Sequence, residues 1–240
     1  MKNHFLGISI ANNTLLEEAS IDDALNLCVS ILCESQEMER CYIYNGELKK
    51  ISYSHINLNR NVKDKFDKKE QENILDNLFS KIDEFPADAK MIMHTTTETE
   101  HILFKQLMNS RNLESFHLFP IISNKKYWGF MAFENHEKIN LIDEEVRALS
   151  LLAKNIGIRL YKDSLVDSLG AQLENLNYYM NGTNQAMWEL DLNTFIPTYS
   201  YHWAEMIGYD MSEIKQTYLF WQENVHPEDL LDVEKSYIII

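Results

Sequence analysis

The sequence lacks any long apolar run and has few basic side chains. Its first apolar stretch, residues 5–10, is too short for the core of a signal peptide, and nothing elsewhere approaches the ~20 continuous apolar residues of a membrane-spanning helix. The 37 acidic residues outnumber the 22 basic ones, and the formal net charge of -15 repels nucleic-acid phosphates and anionic lipid headgroups. The sequence therefore predicts a soluble, cytoplasmic protein with neither nucleic acid nor membrane as a partner.

Cysteine is scarce, and its spacing excludes two kinds of site. The three cysteines cannot form a disulfide framework among themselves. Cys28 and Cys33 are separated by four residues and Cys41 lies further on, so the Cys-x2-Cys knuckle and the paired histidines of a structural zinc site are missing. We predict no metal site and interpret the thiols as buried structural side chains, because free cysteine behaves as a small hydrophobic residue.

Catalytic motifs are also missing. The seven glycines are scattered, so no phosphate-binding loop of the Gly-x-x-x-x-Gly-Lys type is present. Ser123 and Lys126 have the spacing of a Ser/Lys nucleophile pair, but they fall in a predicted hairpin turn without partner motifs. We predict that these 240 residues carry no enzymatic activity, and the sequence singles out no cofactor.

What the sequence does contain is enough apolar residues, 45%, for one complete core and part of a second, so two modules are expected. Ser20 has the features of a helix N-cap, and Asn45-Gly46 those of a two-residue hairpin turn. The predicted elements are, in chain order, a helix over 20–35, strands over 41–44 and 48–56, a helix over 74–85 ended by Pro86, a strand over 90–96, a helix over 101–109, and strands over 115–122 and 127–133. Hairpins mixed with helices predict an α+β fold with helices flanking an antiparallel sheet.

A single long helical pattern follows, over residues 143–180. At ~1.5 Å per residue such a helix exceeds the length that one small domain needs. Its leucines suggest a two-part coiled-coil seam with a break of register between Leu160 and Leu169. The seam positions are Leu149, Ala153, Ile156 and Leu160, and then Leu169, Leu173, Leu176 and Met180. We predict a parallel homodimer through this helix, with the register break as a candidate switch element.

The two strands around the polar turn at 123–126, together with the start of the long helix, resemble the closing half of a GAF domain. Pro120 in one strand, Gly129 in the next, and the acidic residues that begin the last helix at Asp143 occur together in that family. The resemblance implies a GAF-like sensor domain over 16–160, an N-terminal extension over 1–15, and a coiled-coil linker helix over 161–181.

Residues 182–240 resemble the opening of a PAS domain of the extended-sensor type. The motifs are a strand containing Trp188, a helix ending at Gly208-Tyr209, and a His226-Pro227-Glu228-Asp229 turn, in that order. We interpret this part as an incomplete PAS-like α+β domain whose remaining elements, and a downstream output domain, are absent from the sequence.

GAF and PAS domains resemble each other as cupped sheets that hold small molecules, and we expect a pocket over the sheet, covered by the helices at 74–85 and 101–109. The candidate lining residues are Tyr44, His94, Thr96 and Phe104. All three cysteines lie before residue 42, which argues against a bilin bound in the usual phytochrome manner. The cyclic-nucleotide GAF signature is matched only loosely, by Asn135, Lys138, Leu141 and Asp143-Glu144. Haem ligation by a histidine stays open.

The combined resemblance implies a sensory input module, similar to those of bacterial sensor histidine kinases in two-component systems. In this hypothesis a ligand or partner of the GAF-like domain alters the packing of the dimeric helix. Two alternatives remain open: the input region of a cyclic-dinucleotide cyclase or phosphodiesterase, and a ligand-free dimerisation scaffold.

Overall fold

The computed structural model describes residues 4–60, 68–80, 105, 108–109, 111–183 and 186–237. The chain divides into two compact units, Met1–Val166 and Asp167–Ile240. In the described part of the first unit the elements are α1 (His4–Glu17), α2 (Ile21–Ser35), β1 (Arg40–Asn45), β2 (Lys50–Ile56), α3 (Lys68–Ser80), β3 (Ser115–Ser123), β4 (Lys126–Asn135) and the start of α4 (Asp143–Thr183). The α+β character expected from the sequence is confirmed.

The strands form an antiparallel four-stranded sheet in the order β2-β1-β4-β3. Both hairpins are therefore present, and β1 pairs with β4 between them. The predicted strand over 90–96, the helix end at Pro86 and most of the predicted helix over 101–109 lie outside the described residues.

α1 was not expected from the sequence, which suggested only an N-terminal extension over 1–15. Ala11 and Leu15 are completely buried, and the thiol of Cys28 in α2 donates to the carbonyl oxygen of Ala11 at 3.1 Å. α1 also contacts α4, where Asn155 donates to Asn12 at 2.7 Å. These residues thus belong to the core of the first unit.

α2 has the start that its sequence predicts. The Ser20 hydroxyl accepts the amide N–H of Asp23 at 3.3 Å, and Asp22 and Asp23 place negative charge in the first turn, where the helix dipole favours it. The same electrostatic rule applies to α4, whose first turn contains Asp143, Glu144 and Glu145.

The turn between β1 and β2 differs from the prediction. Asn45 pairs with Lys50, so the loop contains four residues rather than the two-residue turn expected at Asn45-Gly46. The Asn45 side chain accepts the amides of Glu47 and Leu48 at 2.9 and 3.0 Å, and Lys49 takes the left-handed φ of 52°. An asparagine that caps its own loop in this way replaces the tight turn.

The second unit contains β5 (Trp188–Leu190) and β6 (Pro197–Tyr199), paired antiparallel, then α5 (Tyr201–Met206), a 3-10 turn (Met211–Glu213), α6 (Tyr218–Glu223) and α7 (Pro227–Tyr237). Its core is aromatic: Tyr199 stacks on Trp203 with 4.1 Å between ring centroids. Trp188 and Trp221 stack at 6.2 Å. The second unit thus has its own small core.

Candidate functional site

The two faces of the sheet differ in chemistry because side chains alternate along each strand. One face, here called the aromatic face, comprises Tyr42, Tyr44, Phe116, Leu118, Phe130 and Ala132, and Leu75 of α3 packs on it. The other face, here called the thiol face, packs against α1, α2 and α4 and includes all three cysteines. The thiols and the aromatic face thus lie on opposite sides of the sheet.

A group of buried polar side chains lies at one end of the aromatic face, centred on Glu134 of β4. We call it the Glu134 cluster; its members are Arg40, Tyr42, Gln71, Arg111 and Glu134. The Tyr42 hydroxyl donates to Oε1 of Glu134 at 2.8 Å, and the Gln71 amide nitrogen contacts the same oxygen. Nη1 of Arg111 lies 3.2 Å from Oε2 of Glu134, and Nη1 of Arg40 lies 3.8 Å from it. The cluster joins β1, β4, α3 and the segment before β3.

Burial and ion pairing shift the pKa of Glu134 in opposite directions. Burial raises the pKa of Glu134, while the guanidinium of Arg111, the Tyr42 hydroxyl, the guanidinium of Arg40 and the Gln71 amide oppose that shift. Burial and the neighbouring carboxylate also raise the pKa of Tyr42 well above its ordinary value. Two guanidinium groups thus face the Glu134 carboxylate in the interior of the first unit.

The cluster has the chemistry of an ordering network rather than of a catalytic centre. Its side chains are one carboxylate, one phenol, one amide and two guanidinium groups, and no serine, cysteine or histidine nucleophile belongs to it. Within the described ranges, no group of three His, Cys, Asp or Glu side chains has a geometry that could hold a metal ion.

Of the four predicted pocket residues, the structure describes only Tyr44. It is buried on the aromatic face, with its ring 6.4 Å from that of Phe130 and 6.3 Å from that of Phe79 in α3. Burial and the nearby carboxylate of Asp76 raise its pKa. The other three, His94, Thr96 and Phe104, lie outside the described residues.

Sequence reasoning missed the Glu134 cluster, although one signal was available. In β4 the alternation of Phe130, Ala132 and Glu134 puts the glutamate in register with core positions. Glu134 also pairs directly with Arg40 across the strands. The contributions of Gln71 and Arg111 carry no comparable signal, because only the folded chain brings them to this carboxylate.

The loose cyclic-nucleotide signature does not assemble on the aromatic face. Asn135 is buried, its Oδ1 accepts the amide of Glu39 at 2.8 Å, and its amide nitrogen contacts the sulfur of Met38 at 2.9 Å. Leu141 belongs to the thiol-face core. Both residues thus have structural roles on the thiol side of the sheet.

α4 has two apolar faces, and this corrects the predicted seam. Leu149, Ala153 and Ile156 are fully buried and Leu160 packs on the same core, so these four positions face the chain's own sheet. Several other apolar residues of α4 are exposed, and six of them, here called the outer stripe, lie on one side of the helix: Leu151, Ile158, Leu165, Leu169, Leu173 and Leu176. At 3.6 residues per turn, Leu151, Ile158, Leu165 and Leu169 fall within about 40° of one another around a straight helix. The inferred register break arose from joining positions on opposite faces.

Arg159 was also missed. Its guanidinium extends from α4 to the end of α1 and donates to the carbonyl oxygens of Leu15, Glu18 and Ala19 at 2.8, 2.8 and 3.0 Å. Its Nε also donates to the carboxylate of Asp163 at 3.0 Å. Arg159 therefore caps the carbonyl end of α1 from the neighbouring helix.

In the second unit, the sequence motifs around Trp203, Gly208 and His226 lie in or beside helices. Trp203 is buried, and Gly208 takes the left-handed φ of 82° just after α5. The amides of Asp229 and Leu230 bond back to the His226 carbonyl oxygen, which begins α7. Among the described residues no helix is long and apolar enough to cross a membrane.

No protein-family model matches the chain, and no curated protein matches it. Solved structures do resemble it. The phycocyanobilin-bound GAF domain of a cyanobacterial phytochrome aligns with a TM-score of 0.51 at 10% identity, over 69% of this chain and 97% of that one. A phycoerythrobilin-bound GAF domain of a cyanobacterial phytochrome gives 0.50 at 11% identity, over 69% and 98%. A bacteriophytochrome from the photosynthetic bacterium R. palustris gives 0.50 at 10% identity, over 73% and 42%. At such identities the likeness concerns the fold, and the sheet and helices described above agree with it: the chain contains a GAF fold.

Proposed function

We propose that the chain is a sensory input module. In this proposal the GAF-fold unit binds a small molecule or a partner, and α4 passes the resulting change to an output domain elsewhere in the protein. The support is a GAF fold with an aromatic face, joined to a helix much longer than its own core requires.

The single observation that carries this proposal is the exposure of α4 beyond the core. Every residue from Ser164 to Leu176 is exposed, and Leu169 and Leu173 are 58% and 54% exposed. An isolated helix of this kind is only marginally stable in water, and a repeated apolar stripe on it is typical of helices that pair. We propose that two copies of the chain pair in parallel along the part of the outer stripe beyond the first core, Leu165, Leu169, Leu173 and Leu176.

Sedimentation equilibrium of the chain carrying Leu169→Glu and Leu173→Glu tests the pairing. We expect wild type to be a dimer at micromolar concentration and the double variant to be a monomer, because two like charges per chain would meet in the seam. Ala171→Glu with Asn175→Glu is the matched control, since it adds the same charge on the opposite face of the same exposed helix. A monomeric wild type, or equal dissociation of both double variants, would contradict the model.

Ligand binding is proposed on the aromatic face and without a covalent bond. All three thiols belong to the thiol face, so this chain offers no cysteine for a thioether to a bilin there. Native mass spectrometry of the purified chain, followed by spectra under denaturing conditions, tests this. A bound molecule should dissociate on denaturation, whereas a mass adduct that survives denaturation contradicts the proposal.

The wider context is proposed as that of a sensor histidine kinase, with residues 182–240 forming part of a PAS-like domain and no catalysis within this chain. The buried free cysteines accord with a reducing cytoplasm. The reading frame that follows Ile240 in the gene tests this directly. A histidine-kinase core there supports the proposal, and a cyclic-dinucleotide cyclase or phosphodiesterase domain replaces it.

A further inference from the structure

A cleft of about 570 Å³ lies between α4 and the β3–β4 hairpin, away from the Glu134 cluster. Its lining is mainly apolar, with Leu151, Ile158 and Tyr161 from α4 and Ile122 from β3. Its polar lining includes Lys125 at the hairpin turn and Lys154 on α4. The volume falls within the ~300 to 1,000 Å³ typical of small-molecule sites, which are likewise apolar with a few polar groups.

A glycine permits the close approach of helix and strand at this cleft. A Cβ at position 157 would lie 2.0 Å from the carbonyl oxygen of Ile122, so any larger residue would push α4 away from β3. Gly157 itself lines the cleft. The shape of the cleft therefore depends on a residue without a side chain.

The hairpin turn shows a second unusual choice of residue. Asn124 and Lys125 form a two-residue turn and have left-handed φ values of 47° and 63°. The second position of such a turn favours glycine, and a lysine there costs about 1 kcal/mol. Residues held in an unfavourable backbone conformation concentrate at binding sites, and Lys125 is one of the residues that line the cleft.

The cleft also offers a hydroxyl group. Oγ of Ser150 is buried, and among the described residues it has no hydrogen-bond partner. Ser150 lines the cleft together with the two lysines. A buried hydroxyl without a hydrogen-bond partner destabilises the folded chain, and a hydrogen bond to a ligand oxygen would remove that cost.

We propose that this cleft binds a free single-chain carboxylate of about the size of decanoate. The chain lies along Leu151 and Ile158, and the carboxylate faces the ammonium groups of Lys125 and Lys154. Charge decides the ligand class: two lysines line a small cleft on a chain of net charge -15, so an anionic headgroup is favoured over a neutral or cationic one. The apolar remainder of the lining excludes a sugar or nucleotide, whose polar groups would lose water without replacement. The proposal requires neither the dimer nor the sensory role.

Isothermal titration calorimetry of the full chain with sodium decanoate, below its micelle concentration, tests the site. We expect one decanoate per chain, decan-1-ol at least about tenfold weaker, and no binding of acetate, because affinity needs both the chain and the charge. Equal affinity for decanol and decanoate, or no saturable binding, would overturn the proposal. Decanoate affinity that falls as the protein concentration rises would assign the cleft to a second copy of the chain, and would also overturn it.

Lys125→Gly separates a binding role from a structural one. The variant should bind decanoate about tenfold more weakly, through loss of a charged contact, while its thermal midpoint rises because glycine suits the left-handed turn. Lys126→Gln is the matched control, since Lys126 is an exposed neighbour that does not line the cleft, and its decanoate affinity should equal that of wild type. Equal loss of affinity in both variants, or unchanged affinity in Lys125→Gly, refutes the assignment of Lys125.

Discussion

Arg159→Met should loosen α1 from the rest of the first unit. The substitution keeps an unbranched apolar stem but removes the donors to the carbonyl oxygens of Leu15, Glu18 and Ala19. A hydrogen bond to a charged group contributes ~1.5 to 3 kcal/mol, but at this partly exposed site water replaces a good part of it. A cation at a helix C-terminus contributes a further ~0.3 to 2 kcal/mol. We expect a total loss of about 2 to 4 kcal/mol.

The assay is thermal or urea unfolding combined with amide hydrogen exchange. For a unit of this size, a loss of 2 to 4 kcal/mol lowers the midpoint by roughly 5 to 15 °C. Exchange should accelerate first in α1, while the peptides of α5 in the second unit stay protected as in wild type. Arg159→Lys, with a single ammonium in place of the planar fork, should fall between the two proteins.

Arg147→Met is the control, because Arg147 lies on the same helix and pairs with Glu144 while both side chains are well exposed. Exposed pairs contribute ~0 to 1 kcal/mol, so its midpoint should hardly move. The reasoning fails if Arg159→Met costs less than about 0.5 kcal/mol, or if both substitutions cost the same.

Three further predictions concern the core of the first unit and the exposed part of α4. Glu134→Gln removes the carboxylate that two buried arginines face, and should lower the free energy of unfolding by about 3 to 5 kcal/mol in urea titrations; an unchanged midpoint would contradict the ion-pair account. Burial raises the pKa of the Cys28 and Cys33 thiols to about 12. The folded chain therefore favours the protonated thiols, and the free energy that this contributes to stability is complete below about pH 9. It is lost between pH 9 and 12, as the thiols of the unfolded chain ionise. Stability should thus fall more steeply with pH in wild type than in Cys28→Ala, and equal slopes would refute the assignment. Gly129→Ala should destabilise the first unit, because the new Cβ would lie 1.9 Å from the Tyr44 carbonyl oxygen. Gly170→Ala meets nothing within 4 Å and should stabilise α4 by about 0.5 to 1 kcal/mol. Calorimetric midpoints that move in the same direction in both variants would contradict this.

Much of the fold could be predicted because short-range signals determine it. The Ser20 cap and the acidic start of α4 each act within a few residues, and each appears in the structure. Gly129 permits a close approach by its residue type, and only the structure shows that the neighbour is the backbone of β1.

The parts that were missed depend on contacts between distant residues. Arg159 and the carbonyl oxygen of Leu15 are separated by 144 positions, and Gln71 and Glu134 by 63. Neither contact produces a periodic pattern in the sequence from which it could be predicted. The same limit explains the seam on α4: the sequence pattern joined Leu149 to Leu160 with the later leucines as one two-part seam, and packing places Leu149 to Leu160 against the chain's own core.

The separation of the thiols from the aromatic face determines how a ligand bound on that face would be released. A sensor that bonds its ligand through sulfur keeps it for the life of the protein and must change state by altering that ligand. Here the sheet lies between the thiols and the aromatic face. A molecule held on the aromatic face would exchange with the surrounding pool, so its occupancy would follow the free concentration by mass action. In the proposed sensory role, such a module would report an amount continuously, and dilution alone would return it to its resting state.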